Sequence, residues 1–182
     1  MNKTSPKAAL AAAILSLSLA LTGCATSTDT GHDASTHMDS KITEAAGFAQ
    51  MMIPHHMQAI TMAAYAKENA KDPQVLALAQ QIYTGQAAEV ETMKAWLGDV
   101  AVHEDMMSDG MLTEDQMKEL SAAKGADFDQ LFLEGMAAHH KGALAMATSF
   151  QNTDDPELKK LVTSILQVQT IEISMIKILQ AK

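Results

Sequence analysis

Phe48-Ala-Gln-Met-Met-Ile-Pro-His55-His56-Met-Gln-Ala59-Ile-Thr-Met62-Ala63 returns later in the chain as Phe132-Leu-Glu-Gly-Met136-Ala-Ala-His139-His140-Lys-Gly-Ala143-Leu-Ala-Met146-Ala147. Phe, Met, His, His, Ala, Met and Ala all recur at an offset of 84 residues. At about 100° per residue, Met52, His55, His56, Ala59, Met62 and Ala63 share one helical face. The two alanines keep the centre of that face thin, so another helix can approach it. The second copy has the same properties through Met136, His139, His140, Ala143, Met146 and Ala147.

Outward from these strings the periodicity stays helical, and no segment alternates as a strand would. A first long helix is predicted from about Thr43 to Asn69. A second follows Asp72-Pro73, with Asp as N-cap and Pro in the first turn, and ends at Gly98. A connector contains a short helix opened by the capping-box pattern Thr113-Glu-Asp-Gln116. A third long helix is predicted from Asp127 to Gln151, and a fourth from Asp155-Pro156 to Leu179. The second helices also match: Leu78 with Leu161, Ile82 with Ile165, Gln86 with Gln169, and Glu89 with Glu172. The expected architecture is all-α, a four-helix bundle made of two repeated hairpins, since neither hairpin can bury its apolar face alone. Residues 43–182 form the bundle, with repeat one at 43–98, the connector at 99–126 and repeat two at 127–182.

In such a bundle both repeated faces point to one interior, bringing four imidazoles and four thioethers together. Glu89 and Glu172 lie on core stripes of the neighbouring helices, where a carboxylate is costly unless paired. Histidine is the available partner, and a Glu–His hydrogen bond orients a metal-binding ring. The expected metal ligands are Met52, His55, His56, Met62, Met136, His139, His140 and Met146, supported by Gln86, Glu89, Gln169 and Glu172. Thioether with imidazole favours copper, Cu(I) above all; Cu(II), zinc or iron remain open through imidazole and carboxylate. A di-iron bundle wants more carboxylates and two Glu-x-x-His motifs, where this chain has Met-x-x-His twice. The connector adds His103, Met106, Met107 and Met111 as a candidate auxiliary metal cluster, although methionines there also suit plain gap-filling. Buried His–Glu pairs can equally be structural. Pro54 removes one helix hydrogen bond just before His55, and either kinks the helix or marks a late helix start.

The first 24 residues read as an export signal: Lys3 and Lys7, an apolar run from Ala8 to Ala20, then Leu21-Thr22-Gly23-Cys24. The run is too short to cross a bilayer. Its end resembles a bacterial lipobox, which makes Cys24, the sole cysteine, the lipidated residue and membrane anchor. Ala25 follows it rather than an inner-membrane-retaining Asp, which points to the outer membrane facing the periplasm. Residues 25–42 are polar and form a flexible tether. Loss of Lys3 and Lys7 takes the formal net charge from −9 to −11. With no arginine and no basic patch, nucleic acid is not an expected partner. The single cysteine, placed in the lipobox, excludes an internal disulfide framework and thiolate zinc or cluster sites.

Met52-Ile-Pro-His55-His56, Ala59-Ile-Thr-Met62-Ala63, Gln86-Ala-Ala-Glu89-Val, Met93-Lys-Ala-Trp96-Leu97, Phe128-Asp-Gln-Leu-Phe132-Leu, Met136-Ala-Ala-His139-His140 and Gln169-Thr-Ile-Glu172-Ile closely resemble the bacterial domain-of-unknown-function 305 family. The resemblance runs from about Ala45 to Leu179. It implies a ferritin-like four-helix bundle, often exported, with copper-binding periplasmic members linked to copper resistance. The second copy departs in having Met175-Ile176 where the first has Thr92-Met93. The expected function is a lipid-anchored envelope protein that binds metal ions and sequesters or transfers copper, with a homodimer open. Two rivals stand beside it: a bundle metal oxidase using His and Glu, and an envelope interaction domain whose His–Glu pairs only hold the fold.

Overall fold

The computed structural model describes residues 43–103 and 108–182. The expected export signal, Cys24, the whole of the tether, and Met106 and Met107 lie outside them. Five helices follow in order: α1 Glu44–Asn69, α2 Pro73–Leu97, α3 Glu114–Ala122, α4 Ala126–Thr148 and α5 Pro156–Gln180. No strand occurs among the described residues, only an isolated bridge between Ala70 and Gly125. The four long helices form an all-α bundle, ferritin-like in plan, and α3 lies in the connector.

Local chemistry sets the helix ends. Thr43 caps α1 by accepting from the Ala46 amide at 3.1 Å. Asp72 and Asp155 cap α2 and α5, each with proline in the first turn. α3 has the complete capping box expected of Thr113 and Gln116. α4 stops at Thr148, three residues earlier than its periodicity suggested, where the chain turns through Phe150 to place that ring 5.1 Å from Phe48. Pro54 is buried inside α1, ten residues past its start, so it does not mark a late beginning. The turn between α1 and α2 is tied to α4 by Asp129, whose carboxylate accepts from the amides of Lys71 at 3.0 Å and Asp72 at 2.8 Å.

The core consists of two apolar clusters. One gathers Met62, Leu78, Ile82, Leu120, Phe128, Phe132 and Met136. The other gathers Phe48, Met52, Met93, Leu158, Leu161, Val162 and Ile165, with Met146 packed against it. Early α1 thus meets late α4, and late α1 meets early α4, so the two helices run antiparallel. Along each helix, the residues between the clusters are His55 and His56, Gln86 and Glu89, His139 and His140, and Gln169 and Glu172. The buried polar residues form a layer between two apolar halves.

Candidate metal centre

All four histidines of the repeated pairs are completely buried. α1 and α4 bring His55 and His139 into contact, with ring centroids 3.8 Å apart and planes tilted by 44°. The second histidine of each pair turns to the adjacent helix of its own hairpin. His56 Nε2 lies 2.8 Å from Glu89 Oε2, and His140 Nε2 lies 2.8 Å from Glu172 Oε2. The spacing of Gln-x-x-Glu against His-His therefore yields the same hydrogen bond twice.

These bonds decide which nitrogens are free. A carboxylate on Nε2 holds the ring proton there, which leaves the Nδ1 lone pair available. Nδ1 of His55, His56, His139 and His140 finds no protein partner, and His139 Nε2 finds none either. Burial, reinforced by the nearby His56, pushes the pKa of His55 down to about 3, although the Asp109 carbonyl opposes the shift. Burial likewise holds His139 well below its ordinary value, with His55 adding to the effect. Both rings are neutral at pH 7, the state in which imidazole binds metal.

The expected thioether ligands are divided. Met52, Met62 and Met136 are fully buried, and Met146 partly so. Met62 and Met136 lie in one apolar half; Met52 and Met146 adjoin the other. Four sulfurs gathered at one point were expected; instead, antiparallel α1 and α4 place a sulfur pair on each side of the imidazole layer. Gln86 and Gln169 reach no imidazole, and both side-chain amides are unpartnered. In the connector, His103 is exposed and Met111 half-buried, its sulfur accepting from the Ser108 amide at 3.4 Å. Among the described residues, no three His, Asp or Glu side chains are grouped for a metal ion. The donor atoms left free in this layer are imidazole nitrogens, ligands that suit copper, zinc, iron or nickel.

The connector covers this layer, a role the sequence reading missed. Gln50 Nε2 donates to the Ala101 carbonyl at 2.8 Å, and Gln50 Oε1 accepts from the His103 amide at 3.1 Å. Gln58 does the same two turns on, donating to the Leu112 carbonyl at 2.9 Å and accepting from its amide at 2.7 Å. Between these clasps the Asp109 carbonyl approaches His55 Nε2 at 3.4 Å. Gly110, with φ of 86°, and Gly142 of α4 make that approach possible. A Cβ on Gly142 would stand 1.8 Å from the Asp109 oxygen. Two glutamines on a face otherwise apolar were the available signal.

The fold and the site together define a helical bundle with a buried imidazole layer flanked by thioethers. The chain belongs to the DUF305 family, a domain of unknown function, whose family model matches residues 45–179. It is similar to a DUF305 protein of Streptomyces coelicolor, solved as a candidate secreted protein, at 28% identity and a TM-score of 0.69, covering 75% of this chain and 91% of that one. It is also similar to CopM in its Cu(I)-bound form, at 32% identity and a TM-score of 0.63 over 74% of this chain and 94% of CopM. The Cu(II)-bound form of CopM matches at 33% identity and 0.63 over 73% and 93%. CopM has also been solved with silver. No curated protein matches in a sequence search.

Proposed function

We propose that this protein is a lipid-anchored copper-binding protein of the cell envelope, which sequesters copper or passes it on through imidazole and thioether. One observation carries the reading: four buried imidazoles leave five ring nitrogens without a protein partner. Such atoms are costly to bury, at about 1–3 kcal/mol each, unless something binds them. His55 and His139, held neutral, are the favoured nitrogen donors. His56 and His140, oriented by Glu89 and Glu172, offer Nδ1. Met52, Met62, Met136 and Met146 supply sulfur on either side, and Cu(I) is the ion such a set prefers. The copper-bound forms of CopM, at about one-third identity over nearly all of that chain, support the same ion. A candidate secreted relative and the lipobox-like Cys24 support the envelope. His103 and the connector methionines serve, in this reading, as a looser auxiliary site.

The test is a competitive titration of Cu(I), Cu(II), Zn(II) and Fe(II) against chelators. It uses the wild type and a variant with His55, His56, His139 and His140 all changed to Ala, with helicity checked by circular dichroism. Copper affinity should fall by about two orders of magnitude or more in the variant, as expected when donor groups are lost. Equal copper affinity in the two proteins sinks the proposal.

A further inference from the structure

Between α2 and α5 lies a second polar cluster, whose two glutamines copper binding through imidazole does not use. A cavity of about 20 Å³ is lined there by Gln86, Glu89, Gln169 and Glu172, with exposed Gly85 and Val168 beside them. Gln86 and Gln169 are only 3% and 2% exposed, yet none of their four amide atoms has a protein partner. Unmatched buried polar atoms are rare, and four on two residues lining one small space call for a polar occupant. Each carboxylate accepts from one histidine through Oε2, and among the described residues neither pairs with a lysine. A space of this size takes one water-sized particle.

The lining atoms able to ligate a cation are all oxygen, two carboxylates and two amide carbonyls, and the two amide nitrogens beside them need an acceptor. That oxygen set suits a hard cation and is a poor match for soft Cu(I). We propose that the α2–α5 seam is a separate site for a hard divalent cation of the calcium or magnesium class, held by Gln86, Glu89, Gln169 and Glu172. Two carboxylates balance a charge of two. Glutamine oxygens turned to the ion meet the need of the two unpartnered Oε1 atoms, and water reaching past Gly85 completes the coordination and accepts from the amide nitrogens. The ion joins the second helix of one hairpin to the second helix of the other. It also fixes the two carboxylates that orient His56 and His140.

The test is thermal melting of the copper-free protein with and without Ca²⁺ or Mg²⁺, on wild type and on Gln86→Leu/Gln169→Leu. At roughly 100 times the dissociation constant, the wild-type midpoint should rise by about 5–10 °C. The variant, whose charge is unchanged, should lose that rise; if the double variant fails to fold, Gln169→Leu alone makes the comparison. No rise in wild type, at up to about 10 mM of either ion in a range typical of weak calcium sites, overturns the proposal and leaves water as the occupant. An equal rise in both proteins overturns it too, as general screening of an acidic surface. Copper titration of the same variant keeps the two readings apart. Retained copper affinity with a lost calcium response supports the seam site, and a calcium response in a protein that binds no copper removes only the copper reading.

Discussion

His55 and His139 make the folded protein sensitive to acid. In the unfolded chain each takes up a proton near pH 6.5; in the folded protein His55 does so only at about 3, and His139 well below 6.5. Because the unfolded state binds more protons in between, their contribution is whole above pH 6.5 and is lost as the pH falls below it. The slope is about 1.4 kcal/mol per pH unit for each residue until its folded pKa is reached. Chemical denaturation of metal-free protein between pH 7 and 4 reads this slope, and flat stability over that range would contradict it. Glu172 is the second sensitive position. Glu172→Leu leaves His140 Nε2 buried without a partner and should cost about 1–3 kcal/mol, whereas Glu172→Gln keeps an acceptor and should cost less. Denaturation midpoints of the two variants rank them. The His–Glu pairs were legible in the sequence because i, i+3 spacing and burial cost act within one hairpin. The unpartnered amides of Gln86 and Gln169 were not, since they depend on how α2 meets α5, two elements far apart in the chain.

The connector is held by the side chains of Gln50 and Gln58 and by a close backbone approach at Gly142. Gly142 is the point of closest approach, and Gly142→Ala would drive a Cβ into the Asp109 carbonyl. The connector must then lift, at a cost of about 1–3 kcal/mol, comparable to overpacking a core. Hydrogen exchange at Met111 and Leu112, whose amides donate to Ser108 and Gln58, should quicken in the variant, and unchanged protection there would refute the close fit. Gly47→Ala is the matched control: its Cβ meets nothing within 4 Å, and α1 should gain about 0.5–1 kcal/mol. The helices themselves were readable from Asp-Pro starts, Gly98 and the Thr113 capping box, because caps are local chemistry. The end of α4 was not, because Phe150 leaves the helical path to reach Phe48.

At the scale of the whole molecule, a polar layer divides the core, and that layer costs stability. Replacing both partners of a buried hydrogen-bonded pair with apolar residues is often nearly neutral or stabilising. His140→Leu combined with Glu172→Leu should therefore recover what Glu172→Leu alone loses, as measured by a double-mutant cycle of unfolding free energies. A double variant no more stable than the single one would show that the layer holds the fold together instead. The repeat announced that two hairpins share one interior. It did not announce which sulfurs gather, because that follows from the antiparallel course of α1 and α4. The division has a thermal consequence. A seam of polar groups ordinarily lets blocks melt one after another, yet each apolar half here takes residues from both hairpins, and α1, α2, α4 and α5 run through both. Neither half can loosen without fraying the other, so heating should give a single cooperative transition, with calorimetric and van't Hoff enthalpies in agreement.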